Sequence, residues 1–102
     1  MVIGVTNKVG DRGVLQLAGP FDFRCILEFK GLYDPFLKDA DIASIEINMS
    51  GVDYIDNTAF GMLLALRDKA AAVRKKIVLG ECHGMTRKML DMAHFGKLFE
   101  IL

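Results

Sequence analysis

Apolar positions along this chain switch between a two-residue and a three-to-four-residue spacing, and the switches mark out the elements. Residues 2–9 and 14–18 are short β-prone runs separated by Gly10-Asp11-Arg12-Gly13, a hairpin signal. Gly19-Pro20 stops the second run, and Asp22 is placed to cap a helix over residues 23–38. Within it Ile26, Phe29, Tyr33 and Leu37 form an amphipathic stripe, while Gly31 and Pro35 predict a kink or a break into two pieces. Over residues 42–49, Ile45 and Ile47 alternate with Glu46 and Asn48, the period of a strand. A second helix is predicted over 57–73, a short strand over 77–80, a third helix over 85–93 and a last strand over 98–102. The order ββαβαβαβ implies an α/β fold with right-handed crossovers and a mixed, partly parallel sheet.

The run from Ile45 to Leu66 carries the most functional information. A strand passes through an acidic turn straight into a helix with almost no polar face. Asp56-Asn57-Thr58 puts polar side chains where the first helical amides are unsatisfied and the dipole is positive, which suits an anion, a phosphorylated hydroxyl or a docking partner. Leu63, Leu66, Ala70 and Val73 form one stripe that is expected to face the sheet. Phe60, Met62, Leu64 and Ala65 cannot all lie on that side, because side chains advance about 100° per residue. The first half of the helix is therefore expected to present apolar surface beside a polar turn, as docking sites do, unless the first helix or a loop covers it.

Composition narrows the chemistry. A chain of 102 residues, 52% apolar and with two prolines, is expected to be one folded domain over residues 1–102. Thirteen basic and thirteen acidic residues cancel, which leaves no footprint for nucleic acid or an anionic membrane. The uncharged apolar run 58–66 is about half a membrane span, and no basic-then-apolar leader opens the chain, so a cytoplasmic protein without direct membrane insertion is expected. Cys25 and Cys82 lack metal-ligand spacing and are read as buried thiols of a reducing compartment. His83 and His94 have no partner spacing for a metal, and Ser44 and Ser50 lie in no nucleophile elbow. Gly10 and Gly13 join two strands rather than cradling a phosphate. Asp53 is read as a turn residue and Asp56 as a helix cap rather than as paired catalytic carboxylates. Met85, Met89 and Met92, along the third helix, are read as core filler. By elimination a binding module is expected, with no catalytic residue, metal or cofactor.

Ser50-Gly51-Val52-Asp53-Tyr54-Ile55-Asp56, the helix start after it and Gly61-Met62-Leu63-Leu64-Ala65-Leu66-Arg67 resemble the STAS domain of bacterial anti-sigma factor antagonists. The resemblance continues through Ile77-Val78-Leu79-Gly80, Thr86-Arg87-Lys88-Met89-Leu90 and Phe95 to Ile101, and Leu17-Ala18-Gly19-Pro20-Phe21-Asp22 resembles the family's second strand and turn. It implies a sheet of four to five strands with helices mainly on one face. It also implies a partner-switching cycle controlling transcription, biofilm, secretion or stress responses. The antagonist, as a monomer or weak homodimer, binds an anti-sigma factor with a kinase-type fold. Phosphorylation of a serine at the second helix start breaks the complex, and a phosphatase restores it. The alternative role is a non-catalytic subunit or scaffold of a transporter or stress-sensing complex.

The regulated helix start would be Asp56, Asn57 and Thr58. Phe60, Gly61, Met62 and Leu64 would supply apolar contact, with Asp53 and the turn Gly19, Pro20, Phe21 and Asp22 beside them; Gly61 would permit close backbone approach. The family's phosphorylatable serine corresponds to Asn57, whose amide accepts no phosphoryl group. Three readings stay open: a permanently competent binder, transfer of the acceptor role to Thr58, or a natural serine exchanged for Asn57.

Overall fold

The computed structural model describes residues 3–102, the side chain of Ile3 excepted; Val2, the first residue of the expected opening strand, lies outside the described residues. Strands β1 (Ile3–Val9) and β2 (Arg12–Ala18) form a hairpin whose turn begins at Gly10, with φ 60°. A 3-10 turn (Phe23–Cys25) leads into α1 (Ile26–Lys38). Then follow β3 (Ser44–Gly51), α2 (Asn57–Ala72), β4 (Lys76–Gly80), α3 (Gly84–Met92), a 3-10 turn (Phe95–Lys97) and β5 (Glu100–Ile101). The strands lie in chain order, β1 antiparallel to β2 and each later neighbour parallel. The expected ββαβαβαβ order and mixed sheet are therefore present.

Register explains the layering. Leu15, Ile47 and Leu79 stand side by side across β2, β3 and β4, as do Gly13, Ile45 and Ile77. These side chains are buried against α2 (Ala59, Leu63, Leu66, Ala70) and α1 (Phe29, Tyr33). Parallel strands laid down in sequence by right-handed crossovers put all three helices on one face. Gly13 leaves room there for the Phe36 ring, which a Cβ would meet at 2.7 Å. The opposite face carries polar pairing instead: Arg12 Nη1 lies 3.6 Å from Glu46 Oε1, and Asn48 Nδ2 donates to Glu46 Oε2 at 3.1 Å.

Two expectations are corrected. The first helix does not break at Gly31 or Pro35; α1 runs through both. Proline removes a bond to the carbonyl four residues back, here that of Gly31, and both residues are exposed, so water can serve that carbonyl. The interruption falls at Phe23–Cys25 instead, where the 3-10 geometry turns Cys25 inward and leaves Ile26 half exposed. Val73 does not continue the buried stripe. It is 48% exposed, because α2 ends at Ala72 and the chain turns away. The end is a Schellman motif: Lys75 N donates to Ala70 O (2.8 Å), Arg74 N donates to Ala71 O (3.1 Å), and Arg74 takes φ 59°.

Leu63→Ala is expected to lower unfolding free energy by about 2–5 kcal/mol, and Val73→Ala to change it by under about 0.5 kcal/mol. Arg74→Gly should raise it by about 0.5–1 kcal/mol, since glycine adopts a left-handed backbone without strain. Urea titrations of the three variants check these values.

Candidate functional site

Two loops meet at the carboxyl ends of β2 and β3. Phe21 and Ile55 form a parallel bridge, Phe21 N donates to Tyr54 O at 2.9 Å, and Gly19 N donates to Gly51 O at 2.9 Å. Gly51 is required there, because a Cβ would come within 2.9 Å of Leu17 O. The starts of α1 and α2 are thereby placed side by side.

Asp56 is the residue that joins them. Its Oδ1 accepts from Ala59 N at 2.9 Å, capping α2, and its Oδ2 accepts from Phe23 N at 3.2 Å, at the start of the neighbouring turn. Asp22 does the corresponding work for the 3-10 turn that leads into α1, rather than for α1 itself. It is buried, accepts from Arg24 N at 3.0 Å, and receives the Arg24 guanidinium at 3.0 Å (Nε to Oδ1) and 2.7 Å (Nη2 to Oδ2). Those side-chain hydrogen bonds hold the Asp22 carboxyl below the usual carboxylate range against its desolvation.

Asn57 is left with no capping duty. It is the first helical residue, exposed, and among the described residues its side chain makes no hydrogen bond. Thr58 is half-buried, and Asp53 is exposed in the turn. Asn57, Gly61 and Ala65 are all exposed and line up at four-residue steps as a low crest. Nothing lies within 4 Å of a Cβ built on Gly61.

The apolar residues of α2 flank this crest rather than forming one open patch. Phe60 packs against Phe95 (centroids 5.0 Å apart) and, with Met89, Met92 and Ala93, lines a hollow of about 240 Å³ toward α3. Met62 and Ala65 line another, of about 180 Å³, with Ile26 and Lys69 toward α1. Leu64 is half-buried. Phe60, Met62 and Leu64 are thus partly covered and Ala65 is open, an intermediate between the docking and covered alternatives.

The methionine expectation is corrected. Met89 is half-buried, but Met85 is exposed and Met92 is 73% exposed, because α3 turns Thr86 and Leu90 to the core. The sequence reading also missed Phe23, Ile26, Leu27 and Tyr54, all exposed apolar residues around the paired loops. Leu27, 83% exposed, lies off the stripe of α1, and that offset was the available signal.

The remaining chemistry is sparse. His83 Nε2 donates to Ser50 O at 2.8 Å, and Thr86 Oγ1 donates to Val52 O at 3.0 Å; both tie α3 to the end of β3. Burial pushes the Cys82 thiol up to about 11. Among the described residues, no three His, Cys, Asp or Glu side chains come together to hold a metal ion, and no helix is long and apolar enough to cross a membrane.

The mixed sheet with its helices on one face is a fold shared with solved structures of anti-sigma factor antagonists. An anti-sigma factor antagonist from Mycobacterium paratuberculosis superposes with a TM-score of 0.86 at 14% identity, covering 99% of this chain and 85% of that one. The anti-sigma factor antagonist SpoIIAA in its unphosphorylated form gives 0.74 at 17% identity, covering 98% and 87%. A STAS-domain containing protein of Pseudomonas aeruginosa (strain UCBPP-PA14) is 32% identical over 98% of this chain and 97% of its own length. The family model described as Mlab, STAS domain matches residues 5–101. The chain belongs to the STAS domain family.

Asp56→Ala should cost about 1–2 kcal/mol in thermal or urea denaturation, since it strips a helix cap and the Phe23 amide together. The depressed Asp22 carboxyl contributes stability that is full above its unfolded value, about 3.9, and is lost as pH falls through the lower folded value. Urea midpoints should therefore fall on acidification below about pH 4, and Asp22→Asn should flatten that limb.

Proposed function

We propose that this chain is an anti-sigma factor antagonist that acts by docking, with no catalysis of its own. It binds an anti-sigma factor with a kinase-type fold through the α2 crest and its two flanking hollows. The observation that carries this reading is the division of labour at the helix start. Asp56 supplies the cap, so residue 57 is not needed for folding and stands exposed at the centre of the surface. Gly61 and Ala65 keep that surface low enough for a partner backbone to approach, and Phe60, Met62 and the exposed Met92 border it with apolar area. Asp53 and the exposed Pro20, beside Gly19, form its rim, while Phe21 and Asp22 of the same loop are buried and hold it from beneath.

Asn57 makes the protein a permanently competent binder. A phosphoryl group at this position would add roughly two negative charges, which the helix terminus tolerates and an apposed partner does not. An amide cannot accept that group, so the complex is not broken there, and a phosphatase has nothing to reverse at this residue. Thr58 is the rival acceptor, but its side chain is half-buried.

Asn57→Asp is expected to weaken binding to the cognate anti-sigma factor at least tenfold while leaving the melting temperature within a few degrees. Calorimetric titration against that partner measures it; unchanged affinity rejects the interface. Asn57→Ser should make the chain a substrate for the partner's kinase activity, read by intact mass. Phosphate appearing on the wild-type chain at Thr58 would overturn the constitutive reading alone.

A further inference from the structure

The helix layer leaves one sheet edge uncovered. In β1, residues 5–9 are all exposed, Val5 by 59% and Val9 by 60%, and α1 reaches only as far as Gly4, which sits beneath Leu32. The hydrogen-bond phase of that edge follows from the hairpin. A two-residue loop is closed by the pair Val9–Arg12, so residues 5, 7 and 9 direct their N–H and C=O groups to β2. Thr6 and Lys8 direct theirs outward, where no described strand receives them; the Lys8 N–H donates to Asn7 Oδ1 at 2.9 Å, a local contact that strand pairing would replace.

Natural edges are blunted by proline, bulges or lysine. Strand β1 holds no proline and pairs with β2 without a register shift. Its one lysine is drawn toward the helix side: Lys8 Nζ lies 3.2 Å from Asp39 Oδ2 and 4.0 Å from Asp41 Oδ2. The residue that would guard the edge is thus partly neutralised and held aside.

We propose that β1 is a self-association surface on which two copies of this chain pair antiparallel about a two-fold axis at Asn7. This register sets Val5 against Val9 of the second copy, and Val9 against its Val5, on the face the helices do not cover. Thr6 then opposes Lys8 in both directions, so no like charges meet. The outward groups of Thr6 and Lys8 fall in hydrogen-bonded pairs, while Asn7 meets its own copy in a non-hydrogen-bonded pair. Centring the axis on Thr6 keeps the hydrogen-bond phase but sets each valine against Asn7 or Ile3 and loses the valine–valine pairs. Self-complementarity of this kind favours a second copy over a foreign strand. The helix layer is not used, so the dimer presents two α2 crests. The pairing stands whether or not those crests bind an anti-sigma factor.

Sedimentation equilibrium up to about 1 mM should show reversible dimerisation, the range a small interface of this kind requires. Thr6→Pro removes an outward N–H without touching the β2 ladder and should weaken association at least tenfold. Val5→Lys, at an exposed position, should do the same if the proline variant does not fold. Oxidation distinguishes the register. Asn7→Cys should form a symmetric disulfide, whereas Val5→Cys should not, because two copies of residue 5 lie about 13 Å apart, beyond disulfide reach. The native Cys82 thiol, pushed up to about 11, competes little at neutral pH. A monomer at every concentration, or equal cross-linking of the two cysteine variants, overturns the proposal; the first result would leave the edge to a strand from another protein.

Discussion

Asp56 accepts hydrogen bonds from two backbone amides that belong to different helix starts, and the geometry of the candidate site depends on that shared carboxylate. One oxygen closes the first turn of α2 through Ala59, and the other holds the Phe23 amide at the entry to α1. Both donors lie at helix starts, where a carboxylate complements the dipole, and Ala59 N is shared between Asp56 Oδ1 and Asp56 O (3.1 Å). The Phe21–Ile55 bridge alone would bring the loops together as strands end. The carboxylate converts that proximity into a defined angle between the helix starts, and it relieves Asn57 of any structural task.

The order of strands then decides what α2 can present. Because β1 to β5 lie in sequence and the crossovers share one hand, α2 sits between α1 and α3 with its inner stripe on β3 and β4. Each flank is half covered, Met62 by the α1 side and Phe60 by Phe95 and the end of α3. What remains is the crest, and its residues are small. The same one-sidedness leaves the other sheet face to the Arg12–Glu46–Asn48 cluster and leaves β1 as an open edge.

Much of this was legible in the chain. Alternation of Ile45 and Ile47 with Glu46 and Asn48 is a local property and located β3, with its boundary displaced by two residues. Asp56 followed by an apolar run located the start of α2 at Asn57. The pairing of the Gly19–Asp22 loop with that start came only from the family resemblance, since no local pattern encodes which loops meet. Errors arose where a side chain's environment depends on a distant element. Gly31 and Pro35 read as a kink or a break, and the helix does not break there, because the pattern does not show that both face water. Met85 and Met92 read as core because residue type reports size and polarity, not which side of α3 the sheet occupies.

The sequence by itself therefore determined the element order and a polar helix start with an amide at position 57, since these rest on local periodicity, capping chemistry and side-chain identity. Only the tertiary structure decided that Asp56 serves two helix starts, that the apolar flanks of α2 are partly covered and that β1 is an edge strand among the described residues. Each of those depends on contacts between residues tens of positions apart, which close only when the sheet brings its carboxyl ends and helix layer together.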